Sequence, residues 1–230
     1  MALTTGRLYW WGEAPWLGVL IAVGIVAITA MAVIELNRET PLLDVRWLTS
    51  REIIHFTGAL LVFRIILSEQ SSGTVNFLRQ MGLANEQMAG LYWVMLGSAV
   101  LSGLFCAAIM KPGRESLLHA AALAMLIVGS YLDSSVTVLT RPEQMYVSQM
   151  LIGFASGLYL PPALAVGLMS ALKRGPNYIL SFIIVFLTTQ KVGGILGSAL
   201  FGTFVARREQ FHSNAIVQHL AATDPQVSLR

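Results

Sequence analysis

Apolar residues run through most of this chain in long stretches that polar clusters separate. The runs predict helices over 14–35, 52–78, 87–110, 117–139, 144–172 and 177–209. Each is close to the roughly 20 residues that cross a bilayer core. The breaks between them carry turn chemistry: Pro41 in ELNRETPLLDVRWLTSRE, KPGRES at 111–116 and KRGPN at 173–177. In the first break Leu42, Leu43, Val45, Trp47 and Leu48 form a short apolar patch, expected to lie on the membrane surface.

The last apolar run is unusual. TTQK, Thr188 to Lys191, interrupts it near its centre, and a polar break at that depth calls for a partner or a water-filled cavity. Directly after it Gly194, Ser198 and Gly202 recur every four residues, with Gly193 and Gly197 beside them. Such a face brings a neighbouring helix close. Gly153, Gly157 and Pro161 repeat the spacing in 144–172, where Pro161 and Pro162 are expected to bend the helix or break it.

Composition supports the membrane reading. Of 230 residues 55% are hydrophobic and 12% charged, against about 25% charged in a typical soluble domain; the expected class is all-α, a polytopic membrane protein of about six spans. The net charge of +3 and pI near 9.2 raise nucleic acid as a partner, but Lys and Arg fall between the apolar runs and form no basic stripe. Their distribution is a topology signal instead. Arg38, Arg46, Arg51, Lys111, Arg114, Lys173 and Arg174 lie on one side of the six spans, against Arg7, Arg79, Arg141, Arg207 and Arg208 on the other. The bias puts the 36–51, 111–116 and 173–176 connections in the cytoplasm and both termini outside. Trp10, Trp11 and Trp16 suit the interface belt. Ala30-Met31-Ala32 could mimic a signal-peptidase site, but the apolar run from Trp16 to Ile34 suits a spanning helix better than a cleaved leader.

Chemistry inside the spans is sparse. Arg64, Glu69 and Gln70 lie in FRIILSEQSSG, and Gln190 and Lys191 in the TTQK break. Counted from the predicted starts, Arg64 and Glu69 lie roughly 18 and 25 Å along their helix and Lys191 roughly 21 Å along its own. The depths suggest one aqueous cavity lined by these five residues, in which Glu69 meets Lys191; the alternative is that each charge reaches water or a headgroup alone. Asp133 reads as a span-end residue rather than a proton relay, lacking a second intramembrane aspartate as partner. His119 reads as interfacial. No histidine spacing suggests a metal, the lone Cys106 allows no intrachain disulfide, and no cofactor is expected. An intramembrane protease would need a nucleophile with a positioned base, and neither Ser198 nor Asp133 has one, so no enzyme and no catalytic residue is expected.

TTQKVGGILGSALFGTFVARREQFHSNAIVQHL resembles the penultimate helix and following loop of fourteen-helix drug:proton antiporters of the EmrB/QacA type in the major facilitator superfamily. APWLG and IELNRETPLLDVRWL resemble the second helix of the hairpin inserted between that family's halves. FRIILSEQSSG resembles the first helix of its C-terminal half, and KPGRE its loop between the second and third helices of that half. The similarity covers nearly the whole chain and is strongest at its two ends. It implies a hairpin helix and cytoplasmic loop over 1–51, the first five helices of the C-terminal half over 52–206, and an external polar tail over 207–230.

It also implies proton-coupled efflux of drugs or other small lipophilic compounds, in a bacterial inner membrane. The family's membrane acid for proton coupling and its signature helix belong to the N-terminal half, a partner absent from this sequence, so the chain is expected not to transport alone. A small free-standing membrane protein acting through an oligomer or a partner half, or an inactive truncated product, are the alternatives.

Overall fold

A computed structural model describes residues 14–39, 41, 43–111, 113–137 and 139–219. Arg7, Trp10, Trp11, Leu42 and the tail beyond 219 lie outside them. The described residues are helical, with no strand among them. The elements are α1 (Pro15–Leu36), α2 (Val45–Leu48), α3 (Arg51–Leu67), a π-helical segment (Gln70–Thr74), α4 (Val75–Gln80), α5 (Ala89–Ile109), α6 (Glu115–Asp133), a 3-10 turn (Pro142–Met145), α7 (Tyr146–Arg174) and α8 (Pro176–His219).

Among the described residues, five stretches are long and apolar enough to cross a membrane: Pro15–Leu36, Ala89–Ile109, Glu115–Asp133, Pro142–Arg174 and Tyr178–Phe211. The sixth predicted helix, over 52–78, is not one uniform α-helix. α3 ends at Leu67, and a π-helical segment precedes α4.

Helix α7 is the axis of the bundle. Its Ile152, Ala155, Leu158, Tyr159 and Ala163 form one buried cluster with Leu60, Phe63 and Leu67 of α3, Cys106 of α5, and Leu118, Ala122 and Leu126 of α6. The rings of Phe63 and Tyr159 stack with centroids 3.6 Å apart. Close approach comes from small residues: a Cβ on Gly157 would lie 2.5 Å from the Ala99 carbonyl oxygen of α5, and one on Gly153 would lie 3.0 Å from that of Met95. Ser102 of α5 donates to the Phe154 carbonyl across the same contact. The break expected at the two prolines does not occur. α7 is helical from end to end, with Pro162 and Ala163 buried, since packing against neighbours can hold a helix through a missing amide donor.

α8 packs against α3 and α7. Gly175, with φ at +131°, ends α7, and Pro176 opens α8, the asymmetry that suits a sharp reversal between helices. The glycine face foreseen on α8 meets α3. A Cβ on Gly193 would lie 2.9 Å from Cβ of Arg64, one on Gly194 3.1 Å from an Arg64 guanidinium nitrogen, and one on Gly197 2.5 Å from the Ile65 carbonyl oxygen. Ser72 donates to Ser198 at 2.8 Å, and Gly202 is buried.

Three further expectations change. The helix over 117–139 ends at Asp133, where Ser134 and Ser135 turn their hydroxyls back onto the Tyr131 and Leu132 carbonyls, a local alternative to helix continuation. The helix over 177–209 continues through Arg207 to His219, so the first part of the expected tail is helical. The 43–48 patch does not lie wholly on the surface: Asp44 caps α2 by accepting from the Trp47 amide, and Trp47 is buried beside Ile53, Ala171 and Phe182, edge-on to Tyr178 at 5.2 Å.

Candidate functional site

The π-helical segment separates two polar places. On one side is a cavity of about 400 Å³ lined by Arg64, Leu67, Gln70, Ser156, Leu160, Gln190 and Lys191. α3 contributes Arg64, α7 contributes Ser156 and Leu160, and α8 contributes Gln190 and Lys191. The side chain of Arg64 runs along Gly193 and Gly194, which lack the Cβ atoms that would block it. Ser156 donates to its own Gly153 carbonyl at 2.7 Å, and the buried Nε2 of Gln190 has no hydrogen-bond partner. No carboxylate lines this cavity.

On the other side is an acidic cluster. Thr74 Oγ1 donates to Glu69 Oε1 at 3.0 Å and lies 3.4 Å from Asp133 Oδ2. Gln149 of α7 donates through Nε2 to Asp133 Oδ2 at 2.5 Å and contacts Thr74 Oγ1 at 2.8 Å. The backbone explains the pairing of Glu69 with Thr74. Five residues separate them, a spacing that 3.6 residues per turn would place on different faces; i→i+5 winding brings them together. Gly73 leaves room, since a Cβ there would lie 2.5 Å from Glu69 Oε1. Gln149 is 0% exposed, yet its Oε1 lacks a partner, as does Glu69 Oε2. Two carboxyl groups beside unpaired acceptor oxygens can hold a proton in a hydrogen bond, because a protonated carboxyl supplies the missing donor.

Four of the five residues proposed from sequence, Arg64, Gln70, Gln190 and Lys191, line one cavity, while Glu69 faces Asp133 instead. The expected Glu69–Lys191 interaction is absent: the ion pairs among the described residues are Arg38–Glu35 and Arg174–Glu52. Asp133 is the last residue of α6, half-buried, and it has an acidic neighbour in Glu69, a partner that a search for paired aspartates overlooks. Gln149 and Thr74 carry no sequence signal; π-helical winding brings in Thr74, and the packing of α7 brings in Gln149. Gln70 touches both places, lining the cavity while donating to the Gln149 carbonyl at 3.3 Å.

A larger hollow of about 620 Å³ lies at the helix ends, between Glu52, Lys111, Glu115, Lys173 and Arg174. Its charges are of both signs, and Ser170 and Arg174 already engage Glu52 at 3.0 and 3.9 Å. His119 packs against the Tyr159 ring at 4.4 Å, and no group of metal-binding side chains occurs among the described residues. Comparison with protein-family models, curated proteins and solved structures gives no match to this chain.

Proposed function

We propose that this chain is part of a secondary active membrane transporter, a major facilitator half in which the path from Arg51 to Gln80 is a sixth span and α1 stands beside the half as an inserted helix. Proton-coupled efflux of small lipophilic compounds is the activity it serves, in partnership with a complementary half. The observation that carries this reading is the open polar cavity between α3, α7 and α8, of which α7 and α8 contain stretches apolar enough to cross a membrane. Charged groups inside spans are costly and tend to mark substrate or ion paths, and alternating access in such folds works around a site near the midplane. The Glu69–Asp133 cluster supports coupling, since it offers a proton-holding group next to the cavity, with Gln70 between the two.

The test uses the native polypeptide that contains this segment, purified from its own membranes and reconstituted in liposomes under an imposed pH gradient. Gradient-driven movement of a lipophilic weak acid or cation is expected, with Glu69→Gln weakening the dependence on the gradient while the coupling acid of the other half remains. Gradient-independent behaviour of both wild type and variant would sink the proposal. The 25.0 kDa chain by itself, treated the same way, is expected to move neither.

A further inference from the structure

The charges of the cavity restrict what it can hold. Arg64 and Lys191 both line it, and neither is in an ion pair among the described residues. Counted from their helix starts, Arg64 lies roughly 20 Å along α3 and Lys191 roughly 22 Å along α8, so the two stand at similar heights. Gln190 adds an amide nitrogen that is buried and has no acceptor. The acid nearest in sequence, Glu69, spends one carboxylate oxygen on Thr74 and stands with Asp133 across the π-helical segment. Two cations and a spare donor therefore converge where no carboxylate answers them. Arg64 is half-buried and Lys191 exposed on this open hollow, and guanidinium and ammonium groups are the usual partners of carboxylates and phosphates.

We infer that the Arg64–Lys191 cavity is an anion site, and that its ligand is a small monoanion, an ionised carboxylate with an apolar body, rather than a lipophilic cation. The inference rests on the transporter reading of the same cavity and names its substrate class. Leu67 and Leu160 supply apolar walls for the body of such a ligand, while Arg64, Lys191 and Gln190 face its oxygens. A lipid headgroup phosphate shares this anion chemistry, and the apolar walls favour a soluble or membrane-partitioning organic acid.

The experiment is equilibrium binding of radiolabelled benzoate and, separately, tetraphenylphosphonium to the chain in nanodiscs of phosphatidylcholine alone. Benzoate is expected to bind saturably, weakening at least about tenfold in Lys191→Gln and in Arg64→Gln, the worth of one charge-assisted hydrogen bond. Lys191 is exposed, so its variant tests charge without disturbing packing, and Arg64→Lys should retain part of the binding. Arg114→Gln, on an exposed turn outside the cavity, should bind as wild type. Tetraphenylphosphonium binding that Lys191→Gln strengthens, with no saturable benzoate binding, would overturn the anion assignment and leave the transporter reading standing. Saturable binding of neither ligand would overturn both. Benzoate binding in these nanodiscs that added phosphatidylglycerol displaces at the level of a few lipids per chain would assign the site to a lipid headgroup instead.

Discussion

Helices α1 and α7 are both long and apolar, and both contain glycines, yet the fold treats them oppositely. In α1 only Leu17 is buried, while Val19, Val23, Val26 and Ile28 are each about 60% exposed or more. A Cβ on Gly18 or Gly24 would meet nothing within 4 Å. In α7 eleven residues are buried, and Gly153, Gly157 and Gly167 each lie against a neighbouring helix or ring. The contrast shows that apolarity takes a helix into the membrane without telling it what to pack against. Lipid tails are as good an apolar solvent as leucine, so association depends on close packing and on hydrogen bonds. α7 has both, through its glycines, the Ser102–Phe154 bond and Gln149; along the middle of α1 the glycines meet no neighbour, and its one hydroxyl, Thr29, bonds back to its own Ile25 carbonyl, while Glu35 at its end accepts from the Leu43 amide.

The most severe way to break this contrast is Gly157→Leu. With backbone atoms of Ala99 and Gly103 2.5 and 2.9 Å from a Cβ at that position, α5 must move away bodily. The expected loss is about 3 kcal/mol or more, read as failure to elute as a monodisperse species after detergent extraction. Gly24→Leu in α1 should extract and elute as wild type, and an equal defect in both would remove the distinction between the helices.

Next is Gln149→Leu. It removes the amide donor from Asp133 and Thr74 inside the bundle, at an expected cost of about 1–3 kcal/mol, measured by thermal unfolding in detergent. An unchanged midpoint would mean that the cluster does not stabilise the α6–α7 contact. Ser102→Ala deletes one interhelical hydrogen bond and should cost about 0.6 kcal/mol, the mean for such bonds in membranes; a double-mutant cycle with Gly157→Ala should show that the two positions are coupled. The smallest effect belongs to Val26→Ala on the exposed face of α1, within about 0.5 kcal/mol of wild type.

How much of this was legible in the sequence varies by element. The α1, α5 and α7 boundaries follow the apolar runs to within two residues, because length and apolarity are local properties. The glycine spacing in VGGILGSALFG announces a close neighbour for α8 but not that the neighbour is α3. Arg64, Gln70, Gln190 and Lys191 could be grouped by depth, since rise per residue is nearly constant along a helix. The direction in which Glu69 points could not be read, because depth carries no rotation. The π-helical winding after Glu69 adds a rotation that an α-helical count omits, and it brings Thr74 to Glu69, where Asp133 and Gln149 also reach Thr74.

By itself, then, the sequence determined an all-helical, membrane-embedded chain, the positions of its turns and the depths of its few charges, because hydropathy and helical rise are properties of each segment alone. Only the tertiary structure decided that α7 is the axis while α1 stands apart, that the two cations share a cavity with no acid, and that Glu69 and Asp133 meet through Thr74 and Gln149. Those outcomes depend on helix rotation and on which small-residue face meets which neighbour, and neither is set until the helices pack.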